Sequence, residues 1–228
     1  MKKHLSTILL TLVLAGGLGL LLYPAVSNAW NARRQSAAIA GYSGNVAEMD
    51  GVSYDYVWDA ARAYNRELAG RADRWQPDAQ MHERYESLLN VAGNGIMGYI
   101  EIPVLEVRLP VYHGVDEAVL QIGAGHLEGS SLPVGGAGTH CVISGHRGLP
   151  SAKLFSDLDR MAVGDVFALH VLDETLTYAV DQILVVEPGD AASLAIDPEA
   201  DLCTLVTCTP YGVNTHRLLV RGRRAQEE

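Results

Sequence analysis

At Gly93-Asn94-Gly95 the spacing of apolar residues changes, and the change limits what can fold on either side of it. Before it, Val57, Ala60, Ala61, Tyr64 and Leu68 recur at the 3.6-residue period of a helix face, with Gly70 as a stop. Met81, Tyr85, Leu88 and Leu89 do the same behind an Asp78 cap. After it, Leu105, Val107, Leu109 and Val111 alternate with period 2, as do Leu176, Tyr178 and Val180. Further strands are expected at residues 140–144, 166–171, 183–186, 202–207 and 217–220, separated by Gly and Pro. Seven or eight short strands predict a closed barrel or a sandwich, and the two amphipathic helices need a surface to lie on.

Residues 5–23 run 19 positions without a charge, enough for a helix of about 28 Å, close to the ~30 Å hydrocarbon core of a bilayer. Lys2 and Lys3 favour a cytoplasmic N-terminus, against the opposing vote of Arg33 and Arg34, so the bulk of the chain is expected outside the cytoplasm. Ser27-Asn28-Ala29 has the small-x-small form of a signal-peptidase site, so a removed signal competes with a retained anchor; a buried core helix is the third reading. Residues 31–50 read as a polar, Gly- and Ser-containing tether. A chain of 228 residues suits one main domain with extra segments, and 48% hydrophobic with 19% charged residues excludes wholesale disorder, collagen-like repeats and a disulfide-dense mini-protein. Net charge is −10, and the two lysines at the start leave the remainder more acidic still, which argues against nucleic acid as a partner.

Three cysteines, Cys141, Cys203 and Cys208, leave an odd thiol in an exported chain. Cys208 closes the apolar run at residues 202–207, and Thr209-Pro210-Tyr211-Gly212 ends it, so this thiol is expected at a strand mouth; a buried structural thiol is the competing reading. Cys141 and Cys203 sit within strands and read as inert buried thiols. Yet Cys141 precedes His146 by five residues and Cys203 precedes Cys208 by five, so parallel pairing of the two strands would bring the first two cysteines level.

Cysteine chemistry needs a thiolate, a proton donor for the leaving group and positive charge or N–H groups for the developing oxyanion. Ser144-Gly145-His146-Arg147-Gly148 puts a histidine where a strand enters a Gly-rich loop, and a strand-turn-strand return would set Arg217 beside Cys208. A permanent guanidinium lowers a neighbouring thiol and can hold a substrate oxygen. His216 is expected on the opposite face from Arg217. No His pair has zinc-ligand spacing, so no metal and no cofactor are expected.

Taken together, Thr204-Leu205-Val206-Thr207-Cys208, Asn214-Thr215-His216-Arg217-Leu218-Leu219-Val220-Arg221-Gly222 and Ser144-Gly145-His146 resemble the sortases. Gly123-Ala124-Gly125-His126-Leu127-Glu128-Gly129-Ser130-Ser131-Leu132-Pro133 and Leu149-Pro150-Ser151-Ala152-Lys153-Leu154-Phe155 narrow the resemblance to class C, the pilus-assembling sortases. The resemblance covers about residues 54–224. It implies a mainly β fold: a closed eight-stranded β-barrel with N-terminal helices and a lid loop, behind one transmembrane helix. The segments would be 1–30 anchor, 31–50 tether, 51–95 helices with lid, and 96–228 barrel.

By the same resemblance Cys208 is the nucleophile, His146 the general acid/base and Arg217 the substrate-orienting residue of a cysteine transpeptidase. Its partners would be pilin or surface-protein substrates carrying an LPXTG-like sorting signal. The signal would be cleaved between Thr and Gly, held as a thioester and passed to a pilin lysine; anchoring to the cell-wall peptide and simple hydrolysis are the alternatives, and a silent binding barrel a third. Asp73 and Trp75 resemble the lid, Asp73 contacting Arg217 and Trp75 covering the thiol, with Arg74 where the family carries proline. Pilus sortases commonly carry a second hydrophobic segment, whereas this chain stops at Arg223-Arg224-Ala225-Gln226-Glu227-Glu228, leaving the N-terminal helix as the expected anchor.

Overall fold

In the computed structural model, residues 2–225 are described; Met1 and the last three residues of the charged C-terminal run, 226–228, lie outside them. The chain opens with one continuous helix, α1 (Lys2–Ala47), whose apolar half is exposed; among the described residues it is the one helix long and apolar enough to cross a membrane. Residues 31–47, expected as a tether, are the second half of this helix. The reason is a face: Gln35, Ile39, Tyr42 and Val46 are buried at helical spacing against the rest of the protein. The Tyr42 hydroxyl donates to Met97 O at 3.0 Å and accepts from Leu172 N at 2.8 Å. Nearer the apolar half, Gln35 Nε2 donates to Ile122 O, Asn31 Nδ2 to Ser151 O, and Asn28 Oδ1 accepts from Lys153 N.

Two helices follow, each started by an aspartate that accepts from an otherwise orphaned backbone N–H. In α2 (Gly51–Ala69) Asp50 accepts from Ser53 N, and in α3 (Ala79–Ser87) Asp78 accepts from Met81 N. The buried faces carry Trp58, Ala61, Tyr64 and Leu68, then Met81 and Tyr85.

The remainder is a closed barrel of eight strands: β1 (Ile96–Ile102), β2 (Val107–His113), β3 (Ala124–His126), β4 (Thr139–Ser144), β5 (Val166–Val171), β6 (Glu174–Val186), β7 (Asp201–Thr209) and β8 (His216–Arg224). Around the barrel they run β1-β2-β3-β4-β7-β8-β6-β5, and β5 closes on β1. Closure removes the exposed sheet edge, and the interior is filled by Ile100, Leu109, Ile143, Phe167, Leu205 and Val220. A four-residue helix, α4 (Glu117–Leu120), bridges β2 and β3. Strand pairing is parallel for β2–β3 and β4–β7 and antiparallel elsewhere. The parallel β4–β7 pair matters most, because it points the ends of two strands the same way.

Candidate active site

Side chains alternate along β4, β7 and β8, so each strand serves the core with one set and an outer groove with the other. Cys141, Ile143, Cys203, Leu205, Leu218 and Val220 belong to the core, while Val142, Val206 and Leu219 pack in a smaller cluster outside it. Cys208 lies two residues beyond Val206 and therefore on the groove face; it is half-buried. In the antiparallel β7–β8 pair Cys208 is directly opposite Arg217. Arg217 lines the groove and has no carboxylate within ion-pair distance among the described residues; its Nη1 donates to Asn214 O and His216 O. His216, one residue earlier, is held by Glu187 at 3.3 Å.

His146 follows β4 by two residues, and its approach is fixed by the backbone. Gly145 N donates to Val206 O at 3.0 Å, and Thr207 Oγ1 donates to Gly145 O at 2.7 Å, which ties the residue before His146 to the two residues before Cys208. A Cβ on Gly145 would come within 2.6 Å of the Phe155 ring, so the close packing needs glycine. Arg147 adds a second tie: its side chain is 8% exposed, Nη1 donates to Thr209 Oγ1 at 3.1 Å, and Nη2 pairs with Asp159. His146 Nε2 lies 3.2 Å from Glu117 Oε2 on α4. Hydrogen bonds from Gln121 and His146 hold the Glu117 carboxyl below the usual carboxylate range, so the imidazole has a charged neighbour.

The groove has a volume of about 450 Å³ and an apolar floor of Leu127, Val142, Val206 and Leu219. It reaches Ser144 and Arg217, and its lining stops two residues short of His146 and Cys208. Trp75, from the loop between α2 and α3, forms part of its wall and packs on the outer apolar cluster. Gly129 seats that loop: with φ +90°, it would place a Cβ within 2.5 Å of Arg74 O and 2.7 Å of the Trp75 ring. Arg74 fastens the loop, donating from Nη1 to Gly129 O at 2.7 Å and from Nη2 to Leu194 O at 2.9 Å, with its guanidinium 4.1 Å from the centre of the Trp75 ring.

Asp73 departs from expectation. Its carboxylate is 61% exposed and takes a two-pronged bond from Arg71, Nε to Oδ1 and Nη2 to Oδ2, both 3.0 Å, instead of meeting Arg217. The planar fork of a guanidinium two residues away satisfies both carboxylate oxygens locally, leaving Trp75 as the residue of this loop that lines the groove. The structure thus brings Cys208 and Arg217 together by register, ties the approach of His146 to them, places Trp75 in the groove wall and leaves Asp73 outside. Glu117, Arg147 and Gly129 escape sequence reasoning, because a short helix, a long side chain and a glycine seat leave no periodic signal; Arg74 reads only as a missing proline. Among the described residues no group of three or more His, Cys, Asp or Glu side chains is arranged to hold a metal ion.

A family model described as the sortase domain matches residues 100–225. The chain is 28% identical over 130 residues to sortase D of Bacillus subtilis (strain 168), covering 56% of this chain and 63% of that protein, so it spans under two thirds of that relative. Among solved structures it is similar to sortase C1 from Streptococcus agalactiae, with a TM-score of 0.82 and 50% identity, covering 84% of this chain and all of that one. Sortase C of Streptococcus pneumoniae, whose structure is described as bearing on catalysis and pilin substrate specificity, matches at a TM-score of 0.73 and 43% identity, covering 84% of this chain and 97% of that one.

Proposed function

The chain belongs to the sortase family, with structural likeness to class C sortases, and from that premise we propose that it is a membrane-anchored cysteine transpeptidase acting through Cys208. The observation that carries the reading is the register of β7 against β8, which sets a half-buried thiol opposite a guanidinium that has no carboxylate partner among the described residues. Cys208 Sγ attacks the Thr–Gly carbonyl of an LPXTG-like signal, Arg217 stabilises the charge that gathers on its oxygen, and His146 gives a proton to the departing glycine amine. The thioester is then attacked by an amine, which loses a proton to His146 while the Cys208 thiolate leaves. The apolar groove beside the thiol suits the leucine and proline side chains of an extended signal peptide. A pilin lysine is the proposed acceptor, supported by the likeness to the pneumococcal sortase C described for pilin specificity. The apolar half of α1 is proposed to cross the membrane, with the barrel outside the cytoplasm.

The test uses the full chain in detergent with an LPXTG-type peptide, with and without a pilin domain bearing an acceptor lysine, read by mass spectrometry. A thioester on Cys208 that becomes an isopeptide-linked product is expected. A thioester released only by water or by a wall-type amine would reassign the protein to hydrolysis or wall anchoring, and an adduct on Cys141 or Cys203 would overturn the site.

A further inference from the structure

The β4–β7 pair holds a second arrangement of thiols, on the opposite side of the sheet from Cys208. Cys141 and Cys203 are register partners across these parallel strands, and both belong to the barrel core, 2% and 0% exposed. Adjacent strands lie about 4.8 Å apart, within the roughly 4.4–6.8 Å between Cα atoms that a disulfide accepts. Both are free thiols, and His126 on the neighbouring strand β3 is near enough to Cys141 to act on its charge. His126 is itself fixed and buried, with Nε2 2.9 Å from Ser131 O and Nδ1 3.1 Å from the Tyr85 hydroxyl. Burial pushes both thiols up, but at Cys141 the neighbouring Cys203 thiol and His126 ring act the other way and bring the thiol below its ordinary range, while Cys203 stays above. A sulfur favoured as thiolate therefore faces one favoured as thiol, inside the barrel and apart from the chemistry proposed at Cys208.

We propose that Cys141 and Cys203 form a redox-convertible pair that hydrogen peroxide closes to a disulfide, stapling the two strands that lead to His146 and Cys208. Peroxide is a small, neutral oxidant suited to a packed interior that excludes larger reagents. The Cys141 thiolate attacks one peroxide oxygen and the O–O bond breaks, giving a sulfenic acid and a hydroxide that becomes water with the proton Cys141 had released. Cys203 then attacks the Cys141 sulfur, the S–O bond breaks, and the thiol proton leaves with the hydroxyl as a second water. The two sulfurs together lose two electrons and peroxide gains them.

The experiment treats the full chain carrying Cys208→Ala with peroxide, removes the excess with catalase, and unfolds the protein in guanidinium with N-ethylmaleimide. The expected product is lighter than the reduced protein by two hydrogens, takes up no maleimide, and yields a peptide containing Cys141 joined to one containing Cys203, all reversed by dithiothreitol. Two maleimides after treatment, or oxygen added to one cysteine with no cross-link, would overturn the pair. In Cys203→Ala with Cys208→Ala, the reaction should stop at a Cys141 sulfenic acid that dimedone captures. Capture at Cys203 in the mirror variant, with none at Cys141, would refute the assigned nucleophile.

Discussion

Replacing Arg74 by alanine should release the loop that walls the groove while leaving the barrel intact. Two charge-assisted hydrogen bonds, to Gly129 O and Leu194 O, and one stacking contact on Trp75 would go. Bonds to a charged donor contribute about 1.5–3 kcal/mol each, and an exposed cation–π contact about 0.5–1 kcal/mol. Both carbonyl contacts are only partly buried, so water recovers much of the loss, and burial of the guanidinium, which lowers its affinity for a proton, already offsets part of the gain. A net cost of about 2–3 kcal/mol to the closed loop remains, or roughly 30- to 150-fold more open population at about 1.4 kcal/mol per tenfold.

Amide hydrogen exchange reads this directly at Gln76, whose N–H is bonded to Asp73 O at 2.8 Å. Arg74→Lys should fall between, since an ammonium lacks the fork that spans two carbonyls. Arg74→Pro should behave like alanine despite its locked φ, because anchorage and not backbone stiffness holds the loop. Exchange at residues 73–77 within about threefold of the parent would refute this account, as would acceleration spread over the barrel strands, which would mean global destabilisation.

Trp75→Ala should raise the alkylation rate of Cys208 by opening the groove wall beside it, and an unchanged rate in an iodoacetamide time course would separate Trp75 from thiol access. Tyr85→Phe should cost about 2 kcal/mol in urea unfolding, because the buried hydroxyl accepts from Gly114 N and meets His126, and its loss leaves both short of a partner; a cost below about 0.5 kcal/mol would show that they find others. His140 is kept neutral first by burial, beyond what its bond to Ala195 O restores; Nδ1–H donates to that carbonyl and Nε2 accepts from Thr204 Oγ1. Its folded value lies below the unfolded ~6.5, so the unfolded chain binds more protons as pH falls through that region. The stability from this group should be complete above pH ~6.5 and fade below it, and His140→Gln should flatten the fall of melting temperature between about pH 7 and 5.

What the sequence makes legible here is what strand geometry transmits without intermediaries. Cys208 and Arg217 come together because a strand, a short turn and a return strand leave few registers, and the equal spacings from Cys141 and Cys203 become a parallel pairing in which those two are level. Elements with two masters are harder to read. Strand β1 buries residues toward both the helices and the core, so Ile96–Ile102 shows no clean alternation, and three-residue β3 is too short for any. Strand β6 reads as two runs because an irregularity between Val180 and Gln182 resets its phase. Residues 31–47 look like a linker since small residues surround the four that pack, and Asp73 cannot be assigned when Arg71 and Arg217 are equally good chemical partners.

With the apolar half of α1 set in a bilayer, as proposed, its helical continuation past Pro24 becomes a short mast. Asn28 and Asn31, which grip the segment just after His146 and Arg147, stand about 8 and 12 Å along the helix from Tyr23, whereas Tyr42, which grips Leu172, stands about 28 Å along. On that placement the rim that carries the catalytic candidates would be the lower one, nearer the lipid, and the barrel would have little chain with which to reach outward. Encounters would then be confined to a thin layer over the membrane and governed by how many substrates share each patch of surface, not by their concentration in solution. Any polymer made there would have to grow from its base.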